Sequence, residues 1–159
     1  MNLSVYVDCG HQDAPKPEAF EAWVATALSG HHSRWCPKDI AEVSIQVVDS
    51  EEMTRVNYQY RGKDTDTNVL SFPVDAELQK QTGLLGDLII CSDVVQREAH
   101  EQSKILEHHW AHMTIHGTLH LLGYDHIAED DAELMEAVEV ACLAHLSISN
   151  PYTQTENLT

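Results

Sequence analysis

Three histidines in the second half of the chain have the spacing of a metal site. His116, His120 and His126 stand in the run His116-Gly117-Thr118-Leu119-His120-Leu121-Leu122-Gly123-Tyr124-Asp125-His126. Residues four apart lie one turn apart on the same face of a helix, so His116 and His120 form a two-pronged ligand set. Gly123 offers the left-handed residue at which helices end, and the chain can turn there to bring His126 round as a third ligand. Three neutral imidazoles with a water in the fourth position make up a catalytic zinc site. A structural zinc site would more often be closed by a cysteine, and none lies nearby. His112, one turn before His116, is an alternative to His126.

Zinc held in this way lowers the pKa of a bound water to ~7 and polarises a carbonyl or phosphoryl oxygen, and both uses point to hydrolysis. Zinc peptidases of the H-E-x-x-H type place a glutamate base directly after the first histidine. Gly117 occupies that position here, which disfavours a peptidase. Phosphodiester cleavage needs positive charge on the oxygens of the transition state, and a planar guanidinium supplies it well. Arg61, in a glycine-containing loop ahead of a strand, is the leading candidate. Asp87, between Gly86 and Leu88 in an apolar strand, is a candidate to orient a ligand histidine or to bind Arg61. Asp125, beside His126, can orient a ligand or cap the turn.

The elements that must position these residues follow from periodicity. Leu3 to Asp8, Glu42 to Val48, Thr67 to Phe72 and Leu84 to Cys91 read as strands. Helices are expected over Pro17 to Leu28, Asp49 or Ser50 to about Tyr60, Asp93 to Ser103, Ile105 to Leu122 and Glu129 to Leu146. Residues 74 to 83 read as a polar connection. The helix carrying His116 and His120 is apolar almost all round from Trp110 onward, so it is expected to be central and buried against the sheet. The last helix has Leu134, Val138, Ala141, Cys142 and His145 on its expected inner face. Asp130, Glu133, Glu136 and Glu139 form its expected solvated face. The expected fold class is α+β, a small mixed sheet of about four strands packed with about five helices. Residues 1–149 are expected to form a single domain, and residues 150–159 a C-terminal tail.

Composition narrows the function class. A net charge of −17 argues against strong sequence-blind binding to nucleic acid. Arg55, Arg61 and Lys63 fall close together, however, and such a spot can hold one phosphate. Cys9, Cys36, Cys91 and Cys142 are scattered with no C-x-x-C pair, which favours a reducing compartment. No run has the length of a membrane helix and the start lacks the pattern of a signal peptide, so a cytoplasmic protein is expected.

The run from His116 to His126 resembles the YbeY endoribonuclease family. So do Tyr60-Arg61-Gly62-Lys63-Asp64-Thr65-Asp66-Thr67-Asn68-Val69-Leu70-Ser71-Phe72-Pro73 and Leu85-Gly86-Asp87-Leu88. The resemblance implies a bacterial, single-strand-specific metallo-endoribonuclease. It implies action in ribosomal RNA maturation, notably at the 3′ end of small-subunit (16S) RNA, and in ribosome quality control. It implies His116, His120 and His126 as ligands of one Zn2+ and Arg61 as the functional arginine. The implied partners are single-stranded RNA and the small ribosomal subunit or its assembly factors. The acidic charge suggests that such a partner delivers the substrate. A peptidase or other metallohydrolase, and a non-enzymatic metal-binding assembly factor, are the competing classes. Composition and spacing by themselves reach only a soluble metallohydrolase, with phosphodiester chemistry preferred.

Overall fold

The computed structural model describes residues 2–10, 12–30, 40–125 and 128–153. Its elements run β1 (Asn2–Asp8), α1 (Pro17–Gly30), β2 (Ile40–Val48), α2 (Ser50–Arg61), β3 (Val69–Pro73), α3 (Ala76–Thr82), β4 (Leu84–Cys91), α4 (Ser92–Glu101), α5 (Leu106–Leu121) and α6 (Glu129–His145). The expected α+β class and the four strands are present. One helix more than expected is found, because α3 lies inside the connection over residues 74–83. Seven residues are too few to show an apolar stripe, but the end signals are there. The Asp75 side chain accepts from the Glu77 amide at 3.2 Å, and Gly83 caps the other end. The buried residue of α3 is Gln79, whose amide donates to the carbonyls of Leu85 at 2.9 Å and Leu121 at 2.8 Å. A polar side chain thus ties the end of α5 to β4.

The sheet has the order β1-β2-β4-β3. β1, β2 and β4 are parallel, and β3 runs antiparallel along the β4 edge. Strand residues alternate between faces, so one face presents Val43, Ile45, Leu88 and Ile90 to α1 and α5, on which α6 packs. Phe20 and Trp23 of α1 and Trp110, Ile115 and Leu119 of α5 complete this core. The Phe20 ring meets Trp23 and Trp110 edge-on, with centroids 5.6 and 5.8 Å apart. Each such fully buried side chain stabilises the fold by roughly 1.5–3 kcal/mol. The opposite face carries a smaller cluster of Val48, Met53, Val56, Leu70, Cys91 and Val94 beneath α2 and α4.

α5 is enclosed on most sides, as its composition predicts. Gly117 is where it meets the sheet most closely. A Cβ there would lie 2.9 Å from Leu88 Cδ2 and 3.1 Å from Val69 Cγ2. The Ser71 hydroxyl donates to the Gly117 carbonyl at 3.0 Å. The glycine that stands where a peptidase carries its glutamate is therefore required by packing. Among the described residues no helix is long and apolar enough to cross a membrane.

Candidate metal centre

α5 ends as the sequence predicts. Gly123 takes a φ of 99°, and the Tyr124 amide donates back to the Leu119 carbonyl at 3.1 Å. The turn brings the Tyr124 carbonyl to His120 Nδ1 at 2.9 Å. A carbonyl can only accept, so His120 carries a hydrogen on Nδ1, and in the neutral ring the lone pair is on Nε2. One turn earlier, His116 Nδ1 lies 3.0 Å from Glu139 Oε2. Burial pushes the Glu139 carboxyl up, but hydrogen bonds and charge from His112 and His116 outweigh it and bring it down to about 2. An ionised carboxylate also only accepts, so His116 too carries its hydrogen on Nδ1.

With both rings neutral two lone pairs face each other, His116 Nε2 and His120 Nε2 being 3.2 Å apart. Two acceptors at this distance repel unless a proton or a metal cation lies between them. Nitrogens each ~2.0–2.1 Å from one tetrahedral zinc ion would stand about 3.3–3.4 Å apart. The pair thus fits a shared metal ion. Its orientation by a carboxylate on one ring and a backbone carbonyl on the other is the usual support of metal-ligating histidines.

A second grouping overlaps the first. Donor atoms of His112, His116 and Glu139 all lie within 4.8 Å of one another, a set that could hold a metal ion. Its internal contacts show how it is used without one. His112 Nε2 lies 2.6 Å from Glu139 Oε1, while the buried His112 Nδ1 has no partner. Burial holds the His112 imidazole below its usual pKa. In its neutral form its hydrogen is on Nε2 and goes to Glu139. In that arrangement Nε2 is engaged with the carboxylate, and an ion held by this set would replace its hydrogen.

Glu139 is a functional candidate that sequence reasoning misses. It was expected on the solvated face of α6 and instead has no exposed surface. The faces of α6 had to be judged from apolar residues, and the acids at Asp130, Glu133 and Glu136 drew Glu139 into their set. The signal that could have found it is its place between Val138 and Cys142, both buried. Tyr152 is missed in the same way. Asn150 to Thr153, expected to begin a tail, fold back onto the domain. The Tyr152 hydroxyl reaches Glu139 Oε1 at 2.5 Å, and Lys104 Nζ donates to the Pro151 carbonyl at 3.2 Å.

The remaining expected site residues are spread over the fold. His126 lies outside the described residues. Asp125 is exposed in the segment leading toward it. Asp87 is exposed on the sheet face turned away from α5, because its neighbour Leu88 is the residue that meets Gly117. It lines an open cleft of about 630 Å³ with Tyr60, Phe72, Ser44 and Gln46, which contains none of the histidines. The structure therefore does not bring Asp87 to His116 or His120. Nor does any ion pair join it to Arg61 among the described residues.

Arg61 is exposed at the C-terminal end of α2, next to Tyr60, whose ring packs on Phe72 at 5.1 Å. Among the described residues it takes part in no ion pair. Arg55, by contrast, is paired with Glu52, and Arg97 with Asp66. Arg61 is thus free to meet an external anion.

The chain matches the sequence profile of the family described as Endoribonuclease YbeY over residues 7–147. It is 46% identical over 152 residues to Endoribonuclease YbeY of Cellvibrio japonicus (strain Ueda107), covering 96% of this chain and 83% of that relative. It also resembles the solution structure of TM1509 from Thermotoga maritima. The TM-score is 0.56 at 22% identity, over 96% of this chain and 99% of that one, a likeness of fold.

Proposed function

The chain belongs to the endoribonuclease YbeY family, and from that premise we propose that it is a zinc-dependent endoribonuclease specific for single strands, acting in ribosomal RNA maturation. The proposed substrate is the 3′ end of small-subunit (16S) RNA, with a further part in ribosome quality control. The observation that carries the metal dependence is the pair of lone pairs on His116 and His120, 3.2 Å apart. His116, His120 and His126 would hold the ion. When bound, it supplies Lewis acidity toward a phosphoryl oxygen and a more acidic water.

Arg61 pairs with the scissile phosphate, its guanidinium, exposed and in no ion pair among the described residues, being suited to two parallel bonds to one phosphate. Asp125 orients His126 from the adjoining position in the chain. Asp87 takes no part at the histidines. A protein of net charge −17 does not grip duplex backbone strongly. The substrate is therefore a flexible strand presented by the small ribosomal subunit or its assembly factors in the cytoplasm.

The test is direct. Nuclease-free protein, loaded with zinc, is offered matched single-stranded and duplex RNA oligomers, and the single strand should be cut much faster. Treatment with a chelator should abolish the cutting and zinc should restore it. Equal rates on both substrates, or cutting that survives metal removal, would overturn the reading.

A further inference from the structure

Glu139 is a carboxylate with no exposed surface in the middle of α6. Burying an anion is costly unless donors surround it. Three side chains do so, two from α5 and one from the C-terminal segment. His112 Nε2 and the Tyr152 hydroxyl both reach Oε1, at 2.6 and 2.5 Å, and His116 Nδ1 reaches Oε2 at 3.0 Å. The division between the two oxygens is informative. Two donors on Oε1 fix the plane of the carboxylate and leave Oε2 aimed at one imidazole.

We infer that Glu139 is the positioning residue of the metal centre, with Tyr152 and His112 as the clamp that holds it. This rests on the reading of His116 and His120 as ligands. By accepting from Nδ1, Glu139 keeps the His116 hydrogen off Nε2 and stops the ring from turning. The lone pair is then presented toward that of His120 before any ion arrives. The two ligands are supported differently. The Tyr124 carbonyl orients His120 but brings no net charge, whereas the Glu139 anion also makes the His116 nitrogen a stronger donor to a cation. The segment around Tyr152 joins the site through this residue.

Two measurements test the inference. The first uses wild-type protein without metal. Nitrogen-15 spectra of the histidine side chains should show His116 with its hydrogen on Nδ1; a hydrogen on Nε2 overturns the inference. The second is zinc affinity, read by competition with a chromophoric chelator, with circular dichroism confirming that each variant is folded. Glu139→Gln should weaken zinc binding by roughly 10–100-fold. Tyr152→Phe, which removes only the hydroxyl of a half-exposed ring, should weaken it less but measurably. Glu98→Gln, which alters a different histidine partner on the same helix, should leave it unchanged. Wild-type affinity in Glu139→Gln overturns the positioning role, and wild-type affinity in Tyr152→Phe overturns the clamp. If the wild type itself binds no zinc, or His120→Ala binds it fully, the ligand reading falls first and this inference with it.

Discussion

α5 carries two histidine–carboxylate groups less than two turns apart, and they do different things. His109 Nε2 lies 2.9 Å from Glu98 Oε1 of α4, and the Asn68 amide donates to the same carboxylate at 3.2 Å. His116 Nδ1 lies 3.0 Å from Glu139 of α6. Both carboxyls are depressed below their ordinary pKa of 4.5 by hydrogen bonds that outweigh burial. The difference is at the other nitrogen of each ring. Among the described residues the buried His109 Nδ1 has no partner, whereas His116 Nε2 faces His120 Nε2. A buried histidine on a carboxylate is thus no sign of a metal site by itself. The Glu98 group joins α4, α5 and the start of β3. The Glu139 group leaves a nitrogen of His116 facing His120.

The sharpest break between the two groups is metal retention. His120→Ala should lower bound zinc from about one ion per chain to almost none by elemental analysis, while His109→Ala should keep it. Loss of zinc from His109→Ala would erase the distinction.

Next in size is catalysis. Arg61 lies in neither group, and removing a contact to growing transition-state charge costs on the order of 3 kcal/mol, or roughly a hundredfold in rate. Arg61→Ala should show that loss in kcat more than in KM, with zinc content and Tm unchanged, since the side chain is exposed. Arg61→Lys should recover only part. A folded, zinc-loaded Arg61→Ala enzyme at the wild-type rate would remove Arg61 from the mechanism.

A smaller effect concerns stability. Gly117→Ala pushes a methyl group into Leu88 and Val69 and should destabilise by about 1–3 kcal/mol, read by denaturant unfolding. A neutral outcome would mean that α5 can lift off the sheet without cost.

The smallest effect is on acid stability. Burial raises the Glu98 carboxyl, but bonds from His109 and Asn68 bring it below 4.5. A depressed folded pKa contributes stability that is present above the unfolded value and lost as pH falls through the folded one. Glu139, at about 2, holds its contribution to lower pH. Glu98→Gln should therefore flatten the fall in unfolding free energy from about pH 5 downward. An unchanged slope would assign that fall to other carboxylates.

Much of the frame was legible in the chain itself. Alternation and helical periodicity are local, so the four strands and five of the helices could be read from residue order. The i, i+4 pair on α5 and the turn at Gly123 are local too, and they place His116 and His120 on one face whatever surrounds them. α3 escaped because its signals are its ends, Asp75 and Gly83, rather than a stripe.

Which partner each side chain meets was decided only by the tertiary structure. The strand period sets Asp87 opposite to Leu88, but only the docking of α5 on the Leu88 side turns Asp87 away from the histidines. Glu139 looks like the other acids of α6 until the phase of α6 against α5 buries it beneath His112 and His116. The tautomer of His116, and so its fitness as a ligand, depends on that contact across 23 residues of chain. Spacing along one helix determines which residues share a face, and no rule of spacing determines what that face is pressed against.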